Sequence, residues 1–244
     1  MIIKNSNLSH KVVLITGATG QLGKAIAKMY AANNCSVIVS DLDVNNCKRL
    51  VESLPIPNQS NHSYIKLDVT SESSINRVKR FIIKKYSKLD ILINNAAIAV
   101  FSDSSQRTKK DFMRVFEVNT YGTFNCIQKL IPLMTKKNQQ SSIINIASVY
   151  GCVSSDPRIY GKADRRNSDI YSISKAGVIH MTKYLSVHYV DKNIRINSIS
   201  PGGIFNNHKK NFKVNYSNRV PMRRMANVDE VLGAISFLSD YNLS

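Results

Sequence analysis

A doubly wound parallel α/β sheet with helices on both faces is the fold class this sequence predicts, and three observations predict it. Short apolar runs alternate with longer amphipathic stretches along the chain, the pattern of parallel strands joined by helical crossovers. A glycine-rich turn, Gly17-Ala18-Thr19-Gly20-Gln21-Leu22-Gly23, follows the first apolar run and opens the first amphipathic one. No composition shift divides the 244 residues, of which 43% are hydrophobic. One domain over residues 1–244, with a single sizeable core, is therefore expected.

Taken in order, Lys11–Thr16 reads as a buried strand and Gln21–Asn33 as the helix after the turn. Ser36–Ser40 is a second strand ending at Asp41, and Ser63–Leu67 a third that runs into Asp68-Val69-Thr70. Ser71–Ser87 places Ile75, Val78, Phe81 and Ile82 on one helical face. Leu89–Asn94 is a fourth strand delivering Asn94-Asn95-Ala96-Ala97 to its carboxyl end, the edge at which open α/β sheets bind ligands. Thr108–Lys137 reads as a long helix broken near Pro132, with Phe112, Val115, Phe116, Phe124, Ile127 and Ile131 as a core stripe. Asn119 interrupts that stripe, and facing water is as good a reading of it as a function. Ser142–Ser148 is the fifth strand, Asp169–Val190 a long helix, and Ile194–Ser200 the sixth strand leading to Pro201-Gly202-Gly203. Asn227–Asp240 is the last helix, with Asn227 as cap, Glu230 three residues on, and Val231, Ile235 and Leu238 inward.

The turn from Gly17 to Gly23 lets backbone bend sharply and approach a pyrophosphate, which then sits on the amides and positive dipole end of a helix. An ordinary glycine turn is the plainer reading. Asp41, at the end of the second strand, stands where a ribose-binding carboxylate belongs and tips the reading toward a dinucleotide. A carboxylate there accepts from ribose hydroxyls and repels a 2′-phosphate, which favours NAD over NADP. Lys24, Lys48 and Arg49 are close enough in sequence to keep NADP open.

Tyr171 and Lys175 are four residues apart, on one face of a helix. Of the eleven tyrosines only Tyr171 has a lysine in this position. A phenol ordinarily titrates near pH ~10, and a neighbouring cation stabilises its anion and lowers that value. Such a phenol can exchange protons near neutrality. For the pentapeptide alone, an exposed ion-bearing helical face is the commoner case.

The formal charge of +18 suits a nucleic-acid binder, but the basic residues are scattered singly or in pairs such as Lys84-Lys85, Lys109-Lys110 and Lys209-Lys210, without a basic run or stacking aromatics. Solvated surface charge is the better reading, and no nucleic-acid partner is expected. No signal-length apolar run opens the chain and nothing approaches the ~18 apolar residues of a spanning helix. A cytoplasmic location without a membrane partner is the default. Cys35, Cys47, Cys126 and Cys152 form no Cys-x-x-Cys pair and the histidines have no ligand spacing, so no metal is expected.

In their order, Thr16-Gly17 with Gly23, Asp68, Asn94-Asn95-Ala96, Asn119, Ser148, Tyr171 with Lys175, and Pro201-Gly202 resemble the short-chain dehydrogenase/reductase family over nearly the whole chain. The resemblance implies a Rossmann-like domain and hydride transfer between NAD(H) and an alcohol or carbonyl of a small-molecule substrate. It casts Tyr171 as acid/base and has Lys175 lower the pKa of Tyr171 and hold the nicotinamide ribose. Ser148 would bind the reacting oxygen and Asn119 would position a relay water. Cofactor contacts are implied for Gly17, Thr19, Gly20, Gln21, Leu22, Gly23, Asp41, Asp68, Val69, Asn95, Ala96, Tyr171, Lys175, Pro201, Gly202 and Ile204. The chain departs from the compact members in having Gln21 where they have glycine, Ala97 for glycine and Asn206 for threonine. It also inserts a loop, Gly151–Ile170, between Ser148 and Tyr171; its Arg158, Lys162, Arg165 and Arg166 suggest an anionic group on the substrate, although a solvated charged loop is the plainer reading. Residues 200–207 and 224–227 look most like members acting in bacterial surface-sugar pathways, among them flagellin glycan and nonulosonic-acid synthesis, which implies carbohydrate metabolism and a sugar or sugar-nucleotide substrate. A 3-oxoacyl-type or small-ketone reductase is the enzymatic alternative, and a non-catalytic dinucleotide sensor the alternative of another class. The family's homo-oligomer is implied as well. Its seventh, edge strand has no counterpart after Asp240, so six strands are expected, with the sixth left as an exposed edge and the chain read as shortened from a longer parent.

Overall fold

The computed structural model of the protein describes residues 4–56, 61–136, 139–160 and 169–244. Six strands and eight α-helices follow one another among these residues: β1 (Val12–Ile15), α1 (Gln21–Ala32), β2 (Ser36–Asp41), α2 (Val44–Glu52), β3 (Ser63–Lys66), α3 (Glu72–Tyr86), β4 (Ile91–Asn94), α4 (Lys109–Phe116), α5 (Gly122–Leu130), β5 (Ser141–Ile146), α6 (Asp169–His188), β6 (Ile194–Ile199), α7 (Lys210–Ser217) and α8 (Val228–Ser239). All strand pairs are parallel, in the order β3-β2-β1-β4-β5-β6. No strand among the described residues pairs beyond β6. No helix among them is long and apolar enough to cross a membrane.

The strands are apolar on both faces because both faces are covered. On one side Val13, Ile15, Val37, Val39, Ile93 and Ile144 pack with Ile26 and Tyr30 of α1 and Leu232 and Ile235 of α8. On the other Leu14, Ile38, Leu92 and Ile143 meet Ile75, Val78 and Ile82 of α3 and Ile127 and Leu130 of α5. Each such side chain removed from water contributes roughly 1.5–3 kcal/mol. Helix ends are set locally. Ser71 accepts from the Ser74 amide at the start of α3, Ser87 closes that helix at φ 65°, and Asn227 with Glu230 forms a capping box on α8.

The long helical stretch differs from the sequence reading. It divides into α4 and α5 around a π-helical turn, Glu117–Tyr121, and ends in a 3₁₀ turn, Ile131–Leu133, that accommodates Pro132. Val115, Ile127 and Ile131 are buried as expected, but Phe112 is 39% exposed and Phe124 38%. The π turn shifts the helical phase by one residue, so a single apolar stripe cannot stay inward along the whole stretch. Phe112 stacks on Phe116 at 4.5 Å instead of entering the core.

Candidate active site

The sheet order reverses direction between β1 and β4, and the segments that leave the carboxyl ends of β1, β4, β5 and β6 converge there. The turn after β1 is held in shape by close backbone packing. Gly17 has φ 60°, and a Cβ on it would lie 2.7 Å from Ala96 Cα. A Cβ on Gly23 would lie 2.6 Å from the Gly17 carbonyl oxygen. Asn95 braces the turn, its side-chain amide donating to the Thr16 and Gly17 carbonyls at 3.1 and 2.8 Å. Gly20 caps α1 without a side-chain acceptor, which leaves the first amides of the helix, on Gln21 and Leu22, open to an anion. At the end of β2, Asp41 accepts from the Thr19 amide and hydroxyl at 3.0 and 2.6 Å and from the Leu42 amide at 2.7 Å. An uncapped helix start beside a glycine cradle, with a carboxylate one strand away, has the shape and charge for NAD.

The other cofactor-contact candidates line the same edge. Asp68 turns its carboxylate onto the Thr70 amide and hydroxyl at 2.9 and 2.7 Å, and Val69 is buried against α5. Pro201 accepts from the Val149 amide at 3.0 Å, which ties the exit of β6 to the segment after β5. Gly202 follows, and Ile204 forms an isolated parallel bridge with Ala226.

Tyr171 lies in the first turn of α6, where burial raises the pKa of its phenol and the Ser148 hydroxyl acts on that phenol to lower it. Ser148, at the end of β5, caps a short 3₁₀ turn, Val149–Gly151, and its oxygen accepts from the Tyr150 amide at 3.2 Å. That amide occupies a lone pair of Ser148 and leaves the hydroxyl proton for the phenol or for a substrate oxygen. Lys175 is buried, and its ammonium donates to the Ile146 carbonyl at 2.5 Å while standing 5.7 Å from the centroid of the Tyr171 ring. Burial pulls the lysine down to about 8. The same burial raises the phenol of Tyr171, with Ser148 working against it. The sequence reading has the lysine as the dominant influence on the phenol; in the structure desolvation is larger, and the ammonium is directed to a backbone carbonyl.

Asn119 does not face water. It is 1% exposed, its Oδ1 accepts from the Ile98 amide at 2.8 Å, and its Nδ2 donates to the Ile98 carbonyl and to Ser174 Oγ, both at 3.0 Å. Ser174 in turn donates to the Tyr171 carbonyl at 2.7 Å. The π turn thus aims an amide whose side chain fastens the loop after β4 to the backbone of Tyr171. Ser174 and Tyr150 were not singled out from the sequence. The only sign of Ser174 was its place inside the Tyr171–Lys175 turn.

Of the four basic residues in the inserted loop, Arg158 is engaged by Asp156 through contacts of 2.9 and 2.8 Å, which hold that carboxyl at about 2. Arg219 stands 3.5 Å from the same carboxylate. Lys162, Arg165 and Arg166 lie outside the described residues.

A family model described as short chain dehydrogenase matches residues 11–216. The chain is 34% identical over 237 residues to 3-oxoacyl-(acyl-carrier-protein) reductase FabG of Thermotoga maritima, covering 95% of this chain and 91% of that protein. It is 29% identical over 242 residues to the 7alpha-hydroxysteroid dehydrogenase of Escherichia coli, covering 96% of this chain and 89% of that one. Among solved structures, a short chain dehydrogenase from Leptospira borgpetersenii with bound NAD+ superposes with a TM-score of 0.85 at 34% identity, over 99% of this chain and 91% of that one. The chain belongs to the short-chain dehydrogenase family and is an oxidoreductase.

Proposed function

We propose that the protein is a single-domain, NAD-dependent oxidoreductase acting on an alcohol or carbonyl carbon, with Tyr171 as the proton donor or acceptor. The observation that carries this reading is the buried Lys175 ammonium 5.7 Å from the Tyr171 ring, with Ser148 acting on the same phenol, at the sheet edge that holds the glycine cradle. NAD(H), when bound, supplies or takes the hydride. Ser148 and Tyr171 hold the reacting oxygen between two hydroxyls, and Tyr171 moves the proton to or from it. Lys175 supplies the positive charge that makes a transient phenolate tolerable. Asn119 and Ser174 fix the backbone from which Tyr171 projects. Asp41 favours ribose hydroxyls over a 2′-phosphate, and the NAD+ of the Leptospira relative supports the same choice.

Two substrate classes have support. The relatives named as 3-oxoacyl reductases favour a 3-oxoacyl thioester or a related ketone. The likeness of residues 200–207 and 224–227 to surface-sugar enzymes favours a sugar or sugar nucleotide, and a homo-oligomer goes with either. Following NADH and NADPH consumption with acetoacetyl thioesters and small 3-ketones, and NAD+ reduction with sugars and sugar nucleotides, decides between them. No turnover on any of these in either direction removes both substrate classes.

The lysine gives this reading a pH signature. Lys175 is charged below about 8 and neutral above it, while the raised phenol stays protonated across that range. In the reductive direction kcat/KM is therefore expected to be level below pH 8 and to fall above it as the supporting charge is lost. Lys175→Met should lower the plateau by about a hundredfold and abolish that limb. A wild-type profile that stays level through pH 9.5 would remove the electrostatic role given to Lys175.

A further inference from the structure

Gln21 begins α1 at the turn position where compact relatives have glycine, and its Nε2 donates a 2.6 Å hydrogen bond to the Phe205 carbonyl, 184 positions along the chain. The sheet order makes this contact unusual. The turn bearing Gln21 follows β1 and Phe205 follows β6, with β4 and β5 between them. At the ordinary strand spacing of about 4.8 Å, a bond joining those two segments bridges roughly 14 Å of sheet edge.

Phe205 also stands at the base of a flap, where the chain leaves and re-enters the sheet edge. The Phe205 amide donates to the Ala226 carbonyl at 2.8 Å and the Ala226 amide to the Gly203 carbonyl at 2.9 Å, so the chain leaves and returns through one point. Between these pins, residues 206–225 carry α7 and share a small apolar cluster in which Tyr216 and Met225 pack with Ile159 of the inserted loop. Tyr216 accepts from the Gly203 amide at 2.7 Å, coupling the flap to its base. Arg219, 3.5 Å from Asp156, and Asn215, donating to the Ile159 carbonyl at 3.3 Å, join the segment to the inserted loop, and Gln21 is the side chain that ties its base to the turn after β1.

We infer that Gln21 is a positioning residue that clasps the 206–225 flap over the cleft and slows the exchange of the dinucleotide. The inference rests on the NAD reading above for its ligand, while the clasp itself is read from the protein alone. Gln21 is exposed, so Gln21→Met keeps the length of the side chain and removes the donor without disturbing the core.

Two measurements test it. Without nucleotide, trypsin should cleave the full chain at Lys209, Lys210, Lys213, Arg219, Arg223 or Arg224 about fivefold faster in Gln21→Met, the effect of losing one such hydrogen bond. With NADH loaded, stopped-flow displacement should show release about fivefold faster, while Tm stays at the wild-type value. Unchanged tryptic and release rates overturn the clasp. A lower Tm in Gln21→Met overturns it as well, in favour of a general structural role. A wild-type protein that binds no NADH defeats the nucleotide reading and the exchange role with it, and the tryptic rates still decide whether the clasp exists.

Discussion

Replacing Tyr171 by Phe is expected to lower kcat by about a thousandfold on a verified substrate, within the range that a positioned acid or base contributes, while the affinity for NADH changes little. Phe retains the ring beneath the Lys175 ammonium and the packing of the first turn of α6, so the variant removes one hydroxyl and little else. The remaining Ser148 hydroxyl can still hydrogen-bond a carbonyl oxygen but has no partner from which to relay a proton. Stability should stay close to wild type, because the ring and its packing are retained and a single hydroxyl is lost. Tyr150→Phe is the matched control. Its phenol meets Tyr160 at 3.3 Å, and its contribution to Ser148 is made by the backbone amide, which the substitution leaves in place. If Tyr171→Phe keeps kcat within tenfold of wild type, or if Tyr150→Phe is the more damaging of the two, proton transfer belongs to another group.

What the sequence made legible was local or periodic. The strand and helix alternation, the Asn227–Glu230 cap and the approach of Asp41 to the glycine turn each depend on residues close in sequence or on a regular repeat. Asn119 illustrates the opposite case. Its polar side chain in an apolar stripe left water and function equally open, because its partners Ile98 and Ser174 are brought to it only by the folded loop after β4 and by α6. The π turn that aims it has no pattern of its own, and the same turn moved Phe112 and Phe124 out of the expected core. Lys175 shows a subtler limit. Helical spacing correctly put it on the face of Tyr171, yet the Ile146 carbonyl that receives its ammonium lies on β5, 29 positions earlier. Gln21 was noticed as a departure from the compact relatives, but its bond to Phe205 depends on two segments separated by most of the sheet.

The glycine turn yields the second large effect, and it discriminates between two glycines that look alike in sequence. Gly23→Ala should weaken NADH binding by about a hundredfold or more and lower Tm by several degrees, whereas Gly20→Ala should leave Tm within about two degrees of wild type. The reason is what each new methyl group meets. At Gly23 it would lie 2.6 Å from the Gly17 carbonyl oxygen and 2.7 Å from Ala18 Cα, both backbone atoms that no rotamer change can move aside. The turn must open, and because Gly17 is itself pressed against Ala96 and braced by Asn95, the strain passes into the segment after β4. Several kcal/mol are at stake in such overpacking, of order 1–3 for a single methyl group, and a displaced cradle no longer presents the first amides of α1 to a pyrophosphate. At Gly20 the backbone is extended, with φ −71° and ψ 170°, and the nearest atom to a new Cβ is the Gly17 carbonyl oxygen at 3.6 Å, an ordinary contact. Alanine there asks nothing of its neighbours and removes some freedom from the unfolded chain, which offsets the poorer helix cap. Thermal melts of the two variants, with NADH titrations followed by cofactor fluorescence, make the comparison. Equal losses in both, or a Gly23→Ala variant that binds as tightly as wild type, would show that the packing of this turn does not govern the cofactor site.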